Sequence, residues 1–355
     1  MTLTDRSSAI RQGEELDAHA IDAYLKTHIE GLNGEPQISQ FPGGASNLTY
    51  LLRYADQELV LRRPPFGRKA KSAHDMGREF RILNKLRDAF PYCPQAFTHC
   101  TDESVIGAEF YVMERVKGII LRADLPAELA FTPAQTTTLC KSFIDRLVEL
   151  HQVDYQRCGL GDLGKPEGYV ARQISGWSER YDNALTPDAP LWQEVRSWLR
   201  EKMPADHPRS AIVHNDYRFD NVILDPQDPM RIIGVLDWEL TTLGDPLMDL
   251  GNTLAYWIEA DDPAPVQMMR RQPSNAPGML TRQAFVDYYA QRAGIEINNV
   301  DFYYIYGLFR LAGIVQQIYY RYYHGQTADK RFASFVQMNA LLEQMALRVI
   351  ARSSL

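Results

Sequence analysis

Ala211-Ile212-Val213-His214-Asn215-Asp216-Tyr217-Arg218-Phe219-Asp220-Asn221-Val222-Ile223-Leu224 is an apolar run, a polar loop and a second apolar run. Ile232-Ile233-Gly234-Val235-Leu236-Asp237-Trp238-Glu239 follows it. The pattern predicts a hairpin-like region from Ile212 to Trp238. Its strand ends would deliver His214, Asp216 and Asn221 on one side and Asp237 on the other. Hard cations such as Mg²⁺ take oxygen ligands and are usually held by one or two protein groups plus substrate phosphates. Asn221 and Asp237 suit that task, which leaves Asp216 to face an acceptor hydroxyl. One Asp near a turn is more simply a capping or turn residue. Four such positions, each beginning or ending an apolar run, are not explained that way.

Upstream, a helix is expected from Leu16 to Leu32. Alternating patterns then predict strands over Pro36–Phe41, Asn47–Tyr54 and Glu58–Arg63. A helix follows over Ser72–Phe90, with Met76, Phe80, Leu83, Leu86 and Phe90 on one stripe. Glu79 shares that stripe. A buried carboxylate needs a cation, and Arg62, at the end of a strand, is the natural partner. Two further strands are expected over Gln95–Cys100 and Ser104–Val116. Beyond them the chain reads as mainly helical, with an exposed Pro-rich loop over Asp261–Pro277. The expected class is α+β: a small antiparallel β lobe with one main helix, residues 1–115, and a larger mainly α-helical lobe, residues 116–355.

The 355 residues are 45% hydrophobic and 23% charged, values of an ordinary globular protein. A net charge of -7 argues against general affinity for nucleic acid or anionic membranes. Cys93, Cys100, Cys140 and Cys158 form neither a C-x-x-C pair nor a disulfide framework. The amino-terminal stretch has no apolar signal region. A reduced, cytoplasmic protein is therefore expected. The most apolar stretch, Tyr303–Tyr320, is interrupted by Arg310, Gln316 and Gln317, so it reads as a buried helix and not a membrane span.

The segment around Asp216 resembles the H-x-D-x-x-x-x-N loop and metal-binding Asp of the protein-kinase-like fold, in the branch of aminoglycoside phosphotransferases and choline kinases. Leu236-Asp237-Trp238-Glu239 and Leu243-Gly244-Asp245-Pro246 favour that small-molecule branch. Gly43-Gly44-Ala45-Ser46-Asn47-Leu48-Thr49-Tyr50, Val60-Leu61-Arg62-Arg63-Pro64-Pro65, Arg172-Gln173 with Trp177, and Phe309-Arg310-Leu311-Ala312 are similar to a narrower group. That group comprises the phosphotransferase domain fused to acyl-CoA dehydrogenases in animals and its free-standing bacterial relatives. The resemblance covers roughly residues 15–345.

It implies an ATP-dependent transfer of a γ-phosphate to a hydroxyl of a small metabolite, with Asp216 as base and Asn221 and Asp237 holding Mg²⁺. It implies that Gly43, Gly44, Ser46 and Asn47 close over the phosphates. Arg62 would stand at the phosphate-gripping lysine, Glu79 at its helix partner, and Glu114 and Val116 at the adenine edge. Arginine in place of lysine departs from the pattern; a guanidinium can hold carboxylate and phosphate alike. The fused-dehydrogenase relatives suggest a hydroxy acid or hydroxyacyl thioester as acceptor. A nucleotide-binding module without catalysis, an aminoglycoside kinase and a protein kinase are the alternatives.

Two features bear on the acceptor. Arg62 to Arg87 holds nine basic and two acidic residues, which reads either as a solvated face or as an attractor of polyphosphate. Arg310 and Gln317, seven apart on one helical face, would either bind a substrate carboxylate or meet a core acid.

Overall fold

The computed structural model describes residues 3–42, 47–66 and 75–355. In chain order its elements are α1 (Ala18–Lys26), β1 (Gln37–Gln40), β2 (Leu48–Arg53), β3 (Glu58–Arg63), α2 (Met76–Leu86), β4 (Ala96–Cys100) and β5 (Phe110–Glu114). There follow α3 (Pro133–Gln152), α4 (Tyr169–Asn183), α5 (Gln193–Glu201), β6 (Ala211–Val213), β7 (Val222–Leu224), β8 (Ile232–Val235) and β9 (Thr242–Gly244). The chain ends with α6 (Pro246–Ala255), α7 (Ala264–Gln267), α8 (Arg282–Ala293), α9 (Val300–Tyr323) and α10 (Phe335–Ile350). The class is α+β, with a five-stranded antiparallel sheet followed by mainly helical structure.

Two compact units result. The first comprises Met1–Ile120, Tyr155–Leu160 and Val222–Leu240; the second comprises Leu121–Asp154, Gly161–Asn221 and Thr241–Leu355. The sequence reading put its single division at Arg115. Here the leading segment runs on to Ile120, and the β7–β8 hairpin belongs with it.

In the first unit the strand order is β1-β2-β3-β5-β4. Side chains alternate across a strand. Leu59 and Leu61 of β3 therefore join Tyr50, Leu52, Val112 and the α1 residues Ile21 and Leu25 in one core, while Arg62 projects to the opposite face. Arg62 lies between Thr49 of β2 and Tyr111 of β5 in the register. Asp75 caps α2 by accepting the Arg78 N–H at 2.8 Å, and the helix buries Met76, Glu79, Ile82, Leu83 and Leu86. The start expected at Ser72 lies outside the described residues. Hydrogen bonds between Ile119 and Leu224 (3.0 and 2.8 Å) and from Val235 N–H to the Tyr92 carbonyl (2.8 Å) fasten β7 and β8 to this unit.

Three expectations are corrected. The strand forecast over Ser104–Val116 shrinks to Phe110–Glu114, because a turn ending in Gly107, φ +77°, occupies the residues before it. Ala211–Val213 is not part of the β7–β8 hairpin; it pairs with Thr242–Gly244 in the second unit. Three-residue strands carry too little alternation to specify a partner. Finally, Asp261–Pro277 is not simply an exposed loop. It contains α7 and fully buries Gln272 and Ser274, whose side chains satisfy backbone groups of neighbouring segments.

In the second unit α6 and α9 meet backbone to backbone. A Cβ on Gly251 would lie 2.1 Å from the Tyr303 carbonyl oxygen, and one on Gly307 would lie 2.1 Å from that of Gly251. Only glycine permits this approach. The described helices include none long and apolar enough to cross a membrane. All four cysteines are free thiols.

Candidate active site

In the first unit Arg62 is 8% exposed and is surrounded by carboxylates. Its Nη1 lies 2.5 Å from Glu79 Oε1; its Nη2 lies 3.2 Å from Asp237 Oδ1 and 3.7 Å from Glu239 Oε2. Burial alone would lower the Arg62 pKa, but Glu79, with Tyr111, Asp237 and Glu239, raises it well above its ordinary value. The guanidinium is thus locked as a cation within an excess of negative charge. Asp237 sits in left-handed backbone, φ +68°, a conformation that Asp tolerates better than most residues. Its Oδ2 accepts no hydrogen bond among the described residues, and its side chain is 34% exposed. Asn47, 1% exposed, donates to Glu239 Oε2 at 2.8 Å. Gly43, Gly44 and Ser46 lie outside the described residues.

Glu114 ends β5 of this sheet, and Val116 follows it. The Glu114 N–H is taken by the Gln95 carbonyl at 2.8 Å. The backbone N–H and carbonyl of Val116 have no hydrogen bond among the described residues, which is the state needed to receive the edge of a heterocycle.

In the second unit the loop from His214 to Asn221 is fastened by Asp249, a fully buried residue of α6. Asp249 accepts the His214 N–H at Oδ2 and the Asn215 N–H at Oδ1, both at 2.7 Å. His151 Nε2 lies 3.0 Å from Oδ2, and its Nδ1 is 2.7 Å from Tyr289 Oη. Burial pushes the Asp249 pKa up, yet His151, His214 and these hydrogen bonds outweigh it and leave the group below its ordinary value. The clamp holds Asn215, immediately before Asp216, at φ +64°. His214 is fully buried and accepts the Asp216 N–H at Nδ1, 3.3 Å, so it braces the loop.

Asn221 donates through Nδ2 to the Asp216 carbonyl (2.8 Å) and to Asp216 Oδ2 (3.0 Å). Its Oδ1 has no hydrogen bond among the described residues. Arg218 meets the same carboxylate, with Nε 3.1 Å from Oδ1 and Nη2 3.2 Å from Oδ2. Asn221 Oδ1 in the second unit and Asp237 Oδ2 in the first are each a hard oxygen of the kind Mg²⁺ favours. The described residues hold no group of three or more His, Cys, Asp or Glu arranged to bind a metal.

Sequence reasoning missed three groups. Arg218 has a visible signal, a cation two residues after the loop Asp. His151 has none, because its partner is 98 positions away. Gln272 was masked by its Pro-rich surroundings, yet its Oε1 accepts the Phe219 N–H at 3.0 Å and steadies the loop. Also in the second unit, Arg310 on α9 is 4% exposed and has neither an ion pair nor a hydrogen bond among the described residues. The core acid that would have paired with it is absent from the described residues. Gln317 is half-buried and also unbonded among them. Its neighbour Gln316 is the buried amide, bonded to Ala184, Thr186 and Asn339.

A five-stranded sheet whose buried Arg pairs with a helix Glu, followed by a helical unit carrying His-x-Asp-x-x-x-x-Asn, defines a protein-kinase-like phosphotransferase. The chain matches the model of the Phosphotransferase enzyme family over residues 37–285 and belongs to that family. It is 33% identical over 347 residues to acyl-CoA dehydrogenase family member 11 of Homo sapiens, covering 96% of this chain and 44% of that protein. The chain thus spans less than half the length of this curated relative. A solved structure from Ralstonia eutropha JMP134, assigned to the aminoglycoside phosphotransferases, is 32% identical. It superposes with a TM-score of 0.82, over 96% of this chain and 100% of that one. At lower identity only the fold is shared. Choline kinase of Cryptosporidium parvum Iowa II has 13% identity and a TM-score of 0.63, covering 94% of this chain and 96% of its own. A ternary complex of streptomycin and ATP with APH(2")-IIa has 16% identity and a TM-score of 0.57, covering 93% and 97%.

Proposed function

We propose that this chain transfers the γ-phosphoryl group of ATP to an alcohol hydroxyl of a small metabolite, such as a hydroxy acid or hydroxyacyl thioester. The observation that carries the reading is the Asp216 carboxylate. It sits on a clamped loop and is oriented by Asn221, whose own Oδ1 is left over for a cation. Asp216 would accept the hydrogen bond of the acceptor hydroxyl and take its proton late, as the new O–P bond forms and the bond to ADP breaks. Arg218, already against that carboxylate, is the cation positioned to offset charge on the moving group. Asn221 and Asp237 would hold Mg²⁺, which supplies neutralisation of the triphosphate. The free backbone groups of Val116 would receive the adenine. Arg62 has its terminal nitrogens on carboxylates, so its main work is to keep Glu79 and Asp237 in place.

The test incubates the full chain with Mg-ATP and a panel of hydroxy acids, sugars, amino alcohols and aminoglycosides, beside Asp216→Asn. Acceptor-dependent ADP release is expected to fall by about 10²-fold or more in the variant. Activity with aminoglycosides alone would overturn the acceptor class. Nucleotide-induced thermal stabilisation that persists without Mg²⁺, and with no turnover, would identify a binding module instead.

A further inference from the structure

Arginine keeps its proton at any ordinary pH, and a charge withdrawn from water is otherwise paired. Arg310 is 4% exposed and has no anion and no hydrogen bond among the described residues. It lies over the Trp177 ring, with Cζ 5.3 Å from the centroid. Trp177 packs closely against α9 because residue 313 is glycine; a Cβ there would come within 2.9 Å of the indole. Arg180 stacks on the same ring at 4.8 Å, so α4 and α9 collect two cations on one indole. The Arg310 nitrogens are not among the sealed, partnerless atoms of the interior, so they keep some access to solvent.

The surroundings link Arg310 to the catalytic loop. The hydroxyls of Tyr169, Tyr256 and Tyr306 all lie in its field. Tyr169 donates to Asn215 Oδ1 at 3.4 Å, beside Asp216. Tyr256 carries Arg218 on its ring at 4.6 Å and feels both Asp216 and Arg310. Base and unpaired cation therefore both act on Tyr256 within the second unit.

We propose that Arg310 is the residue that receives an anionic group of the acceptor, so that the small molecule carries a carboxylate or phosphate besides its reacting hydroxyl. The assignment rests on the phosphotransferase reading above and deepens it. A planar guanidinium stacked on an indole presents its edge for bidentate contact with such an oxyanion.

The probes are ω-hydroxy carboxylates of three to six carbons, the corresponding diols, hydroxyalkyl phosphates and uncharged N-acetylcysteamine thioesters of the same hydroxy acids. Each is titrated against wild type, Arg310→Gln and Arg310→Lys, following binding by thermal shift and turnover by ADP release. Wild type is expected to favour carboxylate or phosphate over diol and thioester, and comparison of the two anions says which one fits. In Arg310→Gln the KM for the favoured anion rises about 30-fold or more, with kcat changing much less; Arg310→Lys recovers part of it. Stabilisation by Mg-ATP is unchanged in a folded variant. Equal use of diol and acid by wild type, or an unchanged preference in Arg310→Gln, overturns the assignment. Arg310-dependent binding of carboxylates with no ADP from any acceptor keeps the anion site and removes the phosphotransferase reading.

Discussion

Arg62 and Glu79 show what a single buried charge demands. Removing one partner of a buried pair leaves the other uncompensated, at a cost of about 3–5 kcal/mol. Arg62→Leu is expected to lose stability of that order in urea denaturation, because Glu79 is 2% exposed. The double variant Arg62→Leu with Glu79→Leu should recover most of it. Asp249 gives a pH-dependent counterpart. Folding lowers its pKa, so the unfolded chain binds more protons as pH falls through the ordinary carboxylate range. The stability it supplies is complete above that range and is lost as pH drops towards the folded value. The gap in denaturant midpoint between wild type and Asp249→Asn should therefore narrow below about pH 4. A gap that is constant from pH 7 to pH 3 would show that the charge of Asp249 is not what holds the loop. These residues were unequally legible beforehand. Glu79 betrayed itself by standing on an apolar stripe, and Arg62 by ending a strand, since both patterns are local. The lack of an anion beside Arg310 among the described residues could not be read, because helical spacing says which face a residue shares but not what lies opposite.

Among the elements, the α6–α9 contact depends on two glycines facing one another. Gly307→Ala would push a methyl into the Gly251 backbone, and overpacking of this sort costs about 1–3 kcal/mol. It should also lower phosphoryl transfer, since α6 carries Asp249. A variant with unchanged stability and full turnover would refute that coupling. Long periodic elements such as α2 and β3 were readable from sequence. β6 was not. Its partner β9 follows the whole β7–β8 hairpin, and neither strand is long enough to display a period. The Pro-rich segment misled for a different reason: composition marks a break in regular structure, whereas burial of Gln272 depends on an orphaned N–H at Phe219.

Over the whole molecule, the basic run from Arg62 to Arg87 is largely spent inside its own unit. Arg68, Lys69 and Lys71 lie outside the described residues. Of the others, Arg63 covers the Phe66 ring at 3.7 Å. Arg81 donates to the Gly159 carbonyl at 3.1 Å, and Arg87 to those of Pro91 and Cys93. The described part of that run therefore supports loops, and an anion attracted to the chain is better sought at Arg310.

The first unit is built from three separated segments, and residues 222–240 reach it only after most of a hundred residues of the second. A ribosome cannot finish this unit early. An N-terminal portion emerging alone lacks the hairpin that pairs with Ile119, so strictly vectorial domain-by-domain folding is closed to it. A fragment ending at Ile120 is accordingly expected to show no cooperative thermal transition. Anyone exchanging sheets between relatives would have to carry residues 222–240 across with them, or leave the strand pair that presents Asp237 behind.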